Sequence, residues 1–152
     1  MQVKKHQTPL IDMLHDLHRF LSAQEHDYPI ALREIQNGNK QSHWIWYIFP
    51  QIKGLGFSHQ SQFYGIINQQ EAEAYLAEPT LNARLREITL ALLEHKDKTA
   101  QQILGGIDAM KVKSSMTLFD IVSPNDIYAE VLNTFYNGER CQHTTKYLTK
   151  QY

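Results

Sequence analysis

The stretch Ser42–Ser58, SHWIWYIFPQIKGLGFS, decides how this chain is read. Trp44, Trp46, Tyr47 and Phe49 fall within six residues, with Ile45 and Ile48 between them and Pro50 closing the run. So short and partly β-branched a run suits a buried strand as well as a helix. A strand needs a partner, because an unpaired buried strand leaves its N–H and C=O groups unsatisfied. The chain offers no second strand candidate, so the segment reads as a helix and the fold as all-α. On a helix these side chains cover every side. Such an element is either a central core helix or offers an aromatic face to something other than water.

Outward from this segment, helix punctuation recurs. Thr8-Pro9 is a cap followed by a first-turn proline, and Leu10, Met13, Leu14, Leu17, Phe20 and Leu21 form an apolar stripe behind it. Asp27-Tyr28-Pro29 reads as the start of a second helix that Asn37-Gly38 stops. Asn68 with Glu71 resembles a capping box, Pro79-Thr80 interrupts that helix, and Leu81, Leu85, Ile88 and Leu92 mark the next stripe. Thr99 with Gln102 starts a short helix ended by Gly105-Gly106. Asp108 opens one running to about Val122, with Ala109, Val112, Met116 and Phe119 inward. Asp126 precedes a helix with Tyr128, Val131, Leu132 and Phe135 buried, Gly138 stops it, and a last helix covers Thr144 to Thr149. The expectation is one compact all-α domain over residues 1–152, an orthogonal array of about eight or nine short helices.

Bulk properties bound the function. Lys plus Arg is 15 against Asp plus Glu at 16, a formal net charge of -1, which disfavours a protein devoted to duplex nucleic acid. Cys141 is the sole cysteine, so no intrachain disulfide forms and a reducing compartment is the natural reading. No signal-peptide core and no apolar stretch of about eighteen residues occurs. The sequence therefore reads as cytoplasmic, with no membrane association.

Candidate site residues cluster in two places. In the first, Trp44 and Trp46 offer ring faces, with His43 and Gln51 as polar groups at the edges. Gly54 and Gly56 let backbone approach a ligand closely, and Ser58 caps a helix carrying Phe63 and Tyr64. A tight corner after Pro50 explains the same glycines with no ligand. The second place is Ile107–Asp120, IDAMKVKSSMTLFD. There Asp108, Lys111, Ser114 and Ser115 are helical neighbours, a cation beside hydroxyls that suits a phosphate or carboxylate. Small serines packed into a core, beside a solvated lysine, are the plainer explanation. His43 is the acid–base candidate. The other histidines, His95 among them, read as solvated, as do Glu71 and Glu73. Asp12, His15 and Asp16 share a face without completing a ligand set, so no metal and no cofactor is expected.

SHWIWYIFPQIKGLG with Ser58, EAEAYL with Pro79, ARLREIT and KVKSSMTLF, in this order, resemble a mainly bacterial family, the domain of unknown function numbered 1810. Some of its members carry the label calpastatin-like. The resemblance spans about Asp16 to Phe135 and implies a compact all-helical domain, with no particular activity. Ile45 and Val112 stand where the family commonly has methionine and leucine, conservative apolar exchanges. A more distant likeness is to helical N-glycosidases acting on ADP-ribosyl groups, whose catalytic carboxylate matches no position here.

Two functions follow. The first is a small-ligand pocket between His43–Ser58 and Asp108–Thr117 for a planar, anionic compound such as a nucleotide or an ADP-ribose-like molecule. If that site is catalytic, the chemistry is hydrolysis with His43 as acid or base. The alternative is a non-catalytic binding or regulatory module, which would show a contiguous exposed apolar patch. Single-stranded nucleic acid would use the same aromatics but lacks a basic groove. Protein partners are not legible in the sequence.

Overall fold

In the computed structural model, which describes residues 8–150 and side chains from 17 to 149, the first helix, α1 (Thr8–Gln36), runs 29 residues without a break. Pro29 lies inside it, where the sequence predicts a new helix. An interior proline removes one hydrogen bond and crowds an earlier carbonyl, at a cost of about 3 kcal/mol or more. Both halves nevertheless bury side chains on one core, Leu17 and Phe20 before the proline and Ala31 and Ile35 after it. Full burial of each large apolar side chain is worth about 1.5–3 kcal/mol, so packing outweighs the proline. The expected side chains at Leu10, Met13 and Leu14, and the Asp12, His15 and Asp16 face, lie outside the described side chains.

The remaining helices are α2 (Ile45–Ile48), α3 (His59–Phe63), α4 (Gln69–Ala77), α5 (Pro79–Leu93), α6 (Ala100–Leu104), α7 (Gly106–Val122), α8 (Ile127–Phe135) and α9 (Gln142–Lys150). Among the described residues that makes nine helices and no strand. The aromatic segment supplies only the single turn of α2, flanked by Trp44 and Phe49. Its continuation does make one isolated parallel bridge, Ile52 to Ile66, with the Ile66 N–H on the Gln51 carbonyl at 2.8 Å.

Local signals set most helix ends. The Asn68 side chain accepts from the Glu71 N–H, Glu78 caps α5 with Pro79 in its first turn, and Thr99 and Gln102 form a reciprocal box. Leu81, Leu85, Ile88 and Leu92 of α5 are all buried, as are Ala109, Val112, Met116 and Phe119 of α7. α5 packs on α1 and α8, and α7 on α6 and α8. A chain of ring contacts links the layers: Phe20 to Tyr75 edge to face at 5.1 Å, then Tyr75 to Phe119 at 5.3 Å and Phe119 to Tyr128 at 5.7 Å, both tilted.

Polar anchors hold the connections. Glu71, expected in water, is 2% exposed and pairs with Arg19 at 3.1 Å while accepting from the Ile67 N–H. Arg19 also donates to the Phe63 and Gly65 carbonyls, fixing the corner before α4. His95, also expected in water, is half-buried and hydrogen-bonds the Ile35 carbonyl at the end of α1. In both cases the partner comes from a distant segment, which single-helix periodicity does not register.

Candidate functional site

The loop between α1 and α2 is tied down by one carboxylate. Glu34 Oε1 accepts from the N–H groups of Gln41 and Ser42 and from Trp44 Nε1, each at 2.9 Å, and Oε2 accepts from the Ser42 hydroxyl. Burial alone would raise the Glu34 pKa, but these donors outweigh it and hold it down at about 2. Trp44 is only 1% exposed, so its ring belongs to the core. A ligand has no access to it, which corrects its expected role as a binding surface.

Lys40, which the sequence reading does not single out, completes the anchor. Its side chain is 6% exposed, with Nζ 2.7 Å from Asp108 Oδ2, on the Ser42 carbonyl, and 4.6 Å from the Trp44 ring centre. The Lys40 N–H donates to the Ile103 carbonyl at 2.8 Å. This lysine therefore fastens the loop before α2 to the α6–α7 junction.

At that junction lies an open cleft of about 400 Å³. One wall carries His43, Ile45 and Trp46, and the other Gly105, Ile107 and Lys111, with Lys40 and Asp108 between them. Lys111 Nζ sits 5.0 Å from the Trp46 ring centre and 3.9 Å from Asp108 Oδ1, with the side chain 25% exposed. α7 begins here. Its N-cap, Gly105, has φ +82°, which glycine tolerates, and provides no side-chain cap. The first-turn N–H groups have no acceptor within the helix, and a Cβ at Gly105 or Gly106 would meet nothing within 4 Å. Two ammonium groups, one carboxylate and the positive end of a long helix thus share one hollow. His43 stands exposed at its rim, and its ring makes no hydrogen bond among the described residues.

The other predicted residues lie elsewhere. Gln51, Gly56 and Tyr64 line, with Trp46, a separate cavity of about 10 Å³. That is the size of one water molecule, too small for a planar ring. Gly54 has φ +102° and a Cβ on Gly56 would come within 2.7 Å of Ser61 Oγ, so both glycines serve the turn itself. Ser58 is spent as the cap of α3, accepting from the Ser61 N–H at 3.1 Å. Trp46 Nε1 is enclosed without a hydrogen-bond partner between the two hollows.

The serines leave the lysine too. Ser114 is 7% exposed and bonds the Met110 carbonyl and Cys141 Sγ, each at 3.2 Å, on the side of α7 facing α9. Ser115 is 0% exposed, its hydroxyl unpartnered inside the core. From Ser114 to Phe119 every α7 residue is buried, so the track from Asp108 and Lys111 passes from the cleft into the interior. Ser114 and Ser115 therefore do not reach the cleft beside Lys111, which corrects their expected role as anion ligands. Among the described residues no three His, Cys, Asp or Glu side chains converge as a metal site requires, and no helix is long and apolar enough to cross a membrane.

Fold and cleft together define an all-helical domain with a surface hollow between a one-turn aromatic helix and the start of a long core helix. The family model described as "Protein of unknown function (DUF1810)" matches residues 14–148, and the chain belongs to that family. It is similar to the conserved hypothetical protein Rv1873 from Mycobacterium tuberculosis, known from a crystal structure. The two share 36% sequence identity and a TM-score of 0.86 over 88% of this chain and 96% of that one. Among curated proteins none matches.

Proposed function

We propose that the cleft between α2 and the start of α7 binds a small planar, anionic compound of the nucleotide or ADP-ribose type. The observation that carries this reading is the uncapped first turn of α7 beside a lysine poised over an aromatic ring. Helix N-termini and ammonium groups favour phosphate oxygens, and the Trp46 face suits a flat ring. A volume of about 400 Å³ is in the range of small-molecule sites. Lys40 is committed to Asp108, the Ser42 carbonyl and the Trp44 ring, so Lys111 is the cation left for the ligand.

The arrangement favours binding over hydrolysis. A general base needs a partner that orients it, and the His43 ring has none among the described residues. The test is thermal denaturation with AMP, ADP and ADP-ribose. A ligand at about ten times its Kd stabilises by roughly 1.4 kcal/mol, a Tm rise of about 4 °C at this chain length. That rise should vanish in Lys111→Ala. If none of the three compounds shifts Tm at millimolar concentration, the reading is wrong.

A further inference from the structure

The residue just before α9 is the sole cysteine of the sequence, and it lies outside the cleft. The Thr145 N–H bonds the Cys141 carbonyl at 3.2 Å, which puts Cys141 at the N-cap of α9, a place that serine or aspartate usually fills. Its own N–H donates to Thr117 Oγ1 at 2.9 Å, and Thr117 in turn donates to the Lys113 carbonyl, so the backbone under the sulfur is fixed to α7. Cys141 Sγ lies 3.2 Å from the Ser114 hydroxyl and faces the His143 and Thr144 N–H groups of the first turn. The Thr144 hydroxyl is 0% exposed, points at the same sulfur and has no other hydrogen-bond partner among the described residues. A neutral thiol is a weak acceptor that leaves this hydroxyl orphaned. An anionic sulfur accepts from it, from Ser114 and from the two N–H groups together. Burial pushes the Cys141 thiol up, but these donors outweigh it and hold it below the ordinary thiol value.

We infer that Cys141 is a modification site, at which a small zwitterionic thiol is carried as a mixed disulfide. Cys141 is half-buried and borders a groove of about 560 Å³ between α7 and the segment leading into α9. Lys113 and Arg140 stand along that groove with Glu139 and His143, and Asp120 holds Arg140 at 3.1 Å. Charges of both signs suit a compound that carries ammonium and carboxylate groups together. In the step itself, the Cys141 thiolate attacks one sulfur of a low-molecular-weight disulfide. A new S–S bond forms as the old one breaks, and the other half leaves as a thiolate with the bonding pair. The Cys141 sulfur is oxidised and the departing sulfur reduced, so the disulfide is the only oxidant required. With no second cysteine in the sequence, the adduct is not resolved within the chain and persists until an external thiol removes it.

The test is incubation of the folded protein with oxidised glutathione, read by intact mass spectrometry, beside the pH dependence of alkylation by iodoacetamide. One glutathionyl group per chain is expected, released by dithiothreitol. Scaled to N-acetylcysteine, the adduct should form faster with oxidised glutathione than with the uncharged bis(2-hydroxyethyl) disulfide. Alkylation should reach half its maximal rate below about pH 8.5, the midpoint of an ordinary thiol. In Ser114→Ala/Thr144→Val that midpoint should rise, and at about pH 6.5 the double variant should react at least about threefold more slowly, since thiolate abundance outweighs the lower nucleophilicity of an acidic thiol. Thermal unfolding verifies the variant, and if loss of Ser114 prevents folding, Thr144→Val alone carries the comparison, because its hydroxyl bonds nothing else. The inference is overturned if oxidised glutathione modifies only urea-unfolded protein, or if the uncharged disulfide reacts as fast. It is also overturned if the wild-type midpoint is at or above the ordinary value, or is unchanged in the folded variant. None of these residues lines the cleft, so nucleotide-induced stabilisation stands or falls separately.

Discussion

The connection from Asn37 to Phe49 and the packed layer of α5, α7 and α8 both send large side chains into the core, yet they are held in opposite ways. In the layer, long helices satisfy their own backbones and contribute stripes such as Leu81, Leu85, Ile88 and Leu92. In the connection, α2 is one turn long, and isolated short helices are not stable on their own. Polar links to other elements hold it: Glu34 of α1 takes the loop's donors, and the loop's own Lys40 pairs with Asp108 of α7. Tyr47 adds a hydrogen bond from its hydroxyl to Asp27, and the Gln24 amide donates to the Tyr47 carbonyl at 2.8 Å. Regular structure can rest on apolar area, whereas irregular structure must find a partner for each polar group. The cleft sits where these two kinds of construction meet.

That contrast can be broken from either side. The largest effect is expected for Trp44→Ala, which removes a buried ring and a Glu34 donor together, at a cost of about 3–5 kcal/mol in chemical denaturation. Leu85→Ala, in the apolar layer, should cost about 3 kcal/mol by the same measurement. Glu34→Ala comes next, at about 2 kcal/mol, because it leaves the Ser42 and Trp44 donors in search of water. If Glu34→Ala costs nothing, the loop is held by packing and the contrast drawn above is wrong.

A pH series sharpens the same point. The Glu34 pKa is depressed from 4.5 to about 2 in the folded protein. Its contribution is therefore complete above the unfolded value and is lost as pH falls from about 4.5 toward 2. Across that window wild-type stability should fall more steeply than that of Glu34→Ala, as measured by urea midpoints at each pH. Parallel curves would show that the carboxylate's hydrogen bonds do not favour its charged form. The smallest expected effect is Lys111→Ala, within about 0.5 kcal/mol of wild type, because its pairing with Asp108 is long and partly solvated. A loss of several kcal/mol would make this lysine part of the scaffold and not a group available to a ligand.

The candidate site was legible only in part. His43, Trp46, Asp108 and Lys111 were readable as chemistry-bearing residues in two separate segments, and all four border the same cleft. Ser114 and Ser115 share helical spacing with Lys111, but spacing does not reveal how wide a strip of α7 its neighbours cover. Gly54 and Gly56 carry a signal that a turn and a ligand loop have in common. Nothing near Lys40 in the sequence marks it as buried, since its acceptors are Ser42 and the distant Asp108.

Sequence alone determined the caps at Asn68, Thr99 and Asp126 and the inward stripes of α5 and α7, because caps and periodicity act within a few residues of each other. Tertiary structure alone decided that α1 continues through Pro29, that Glu71 and Lys40 lie inside, and that α2 faces the first turn of α7. Each of those outcomes depends on apolar area or a charged partner supplied by a remote segment. The free energy gained from such contacts exceeds the local preference for a helix break or for solvent.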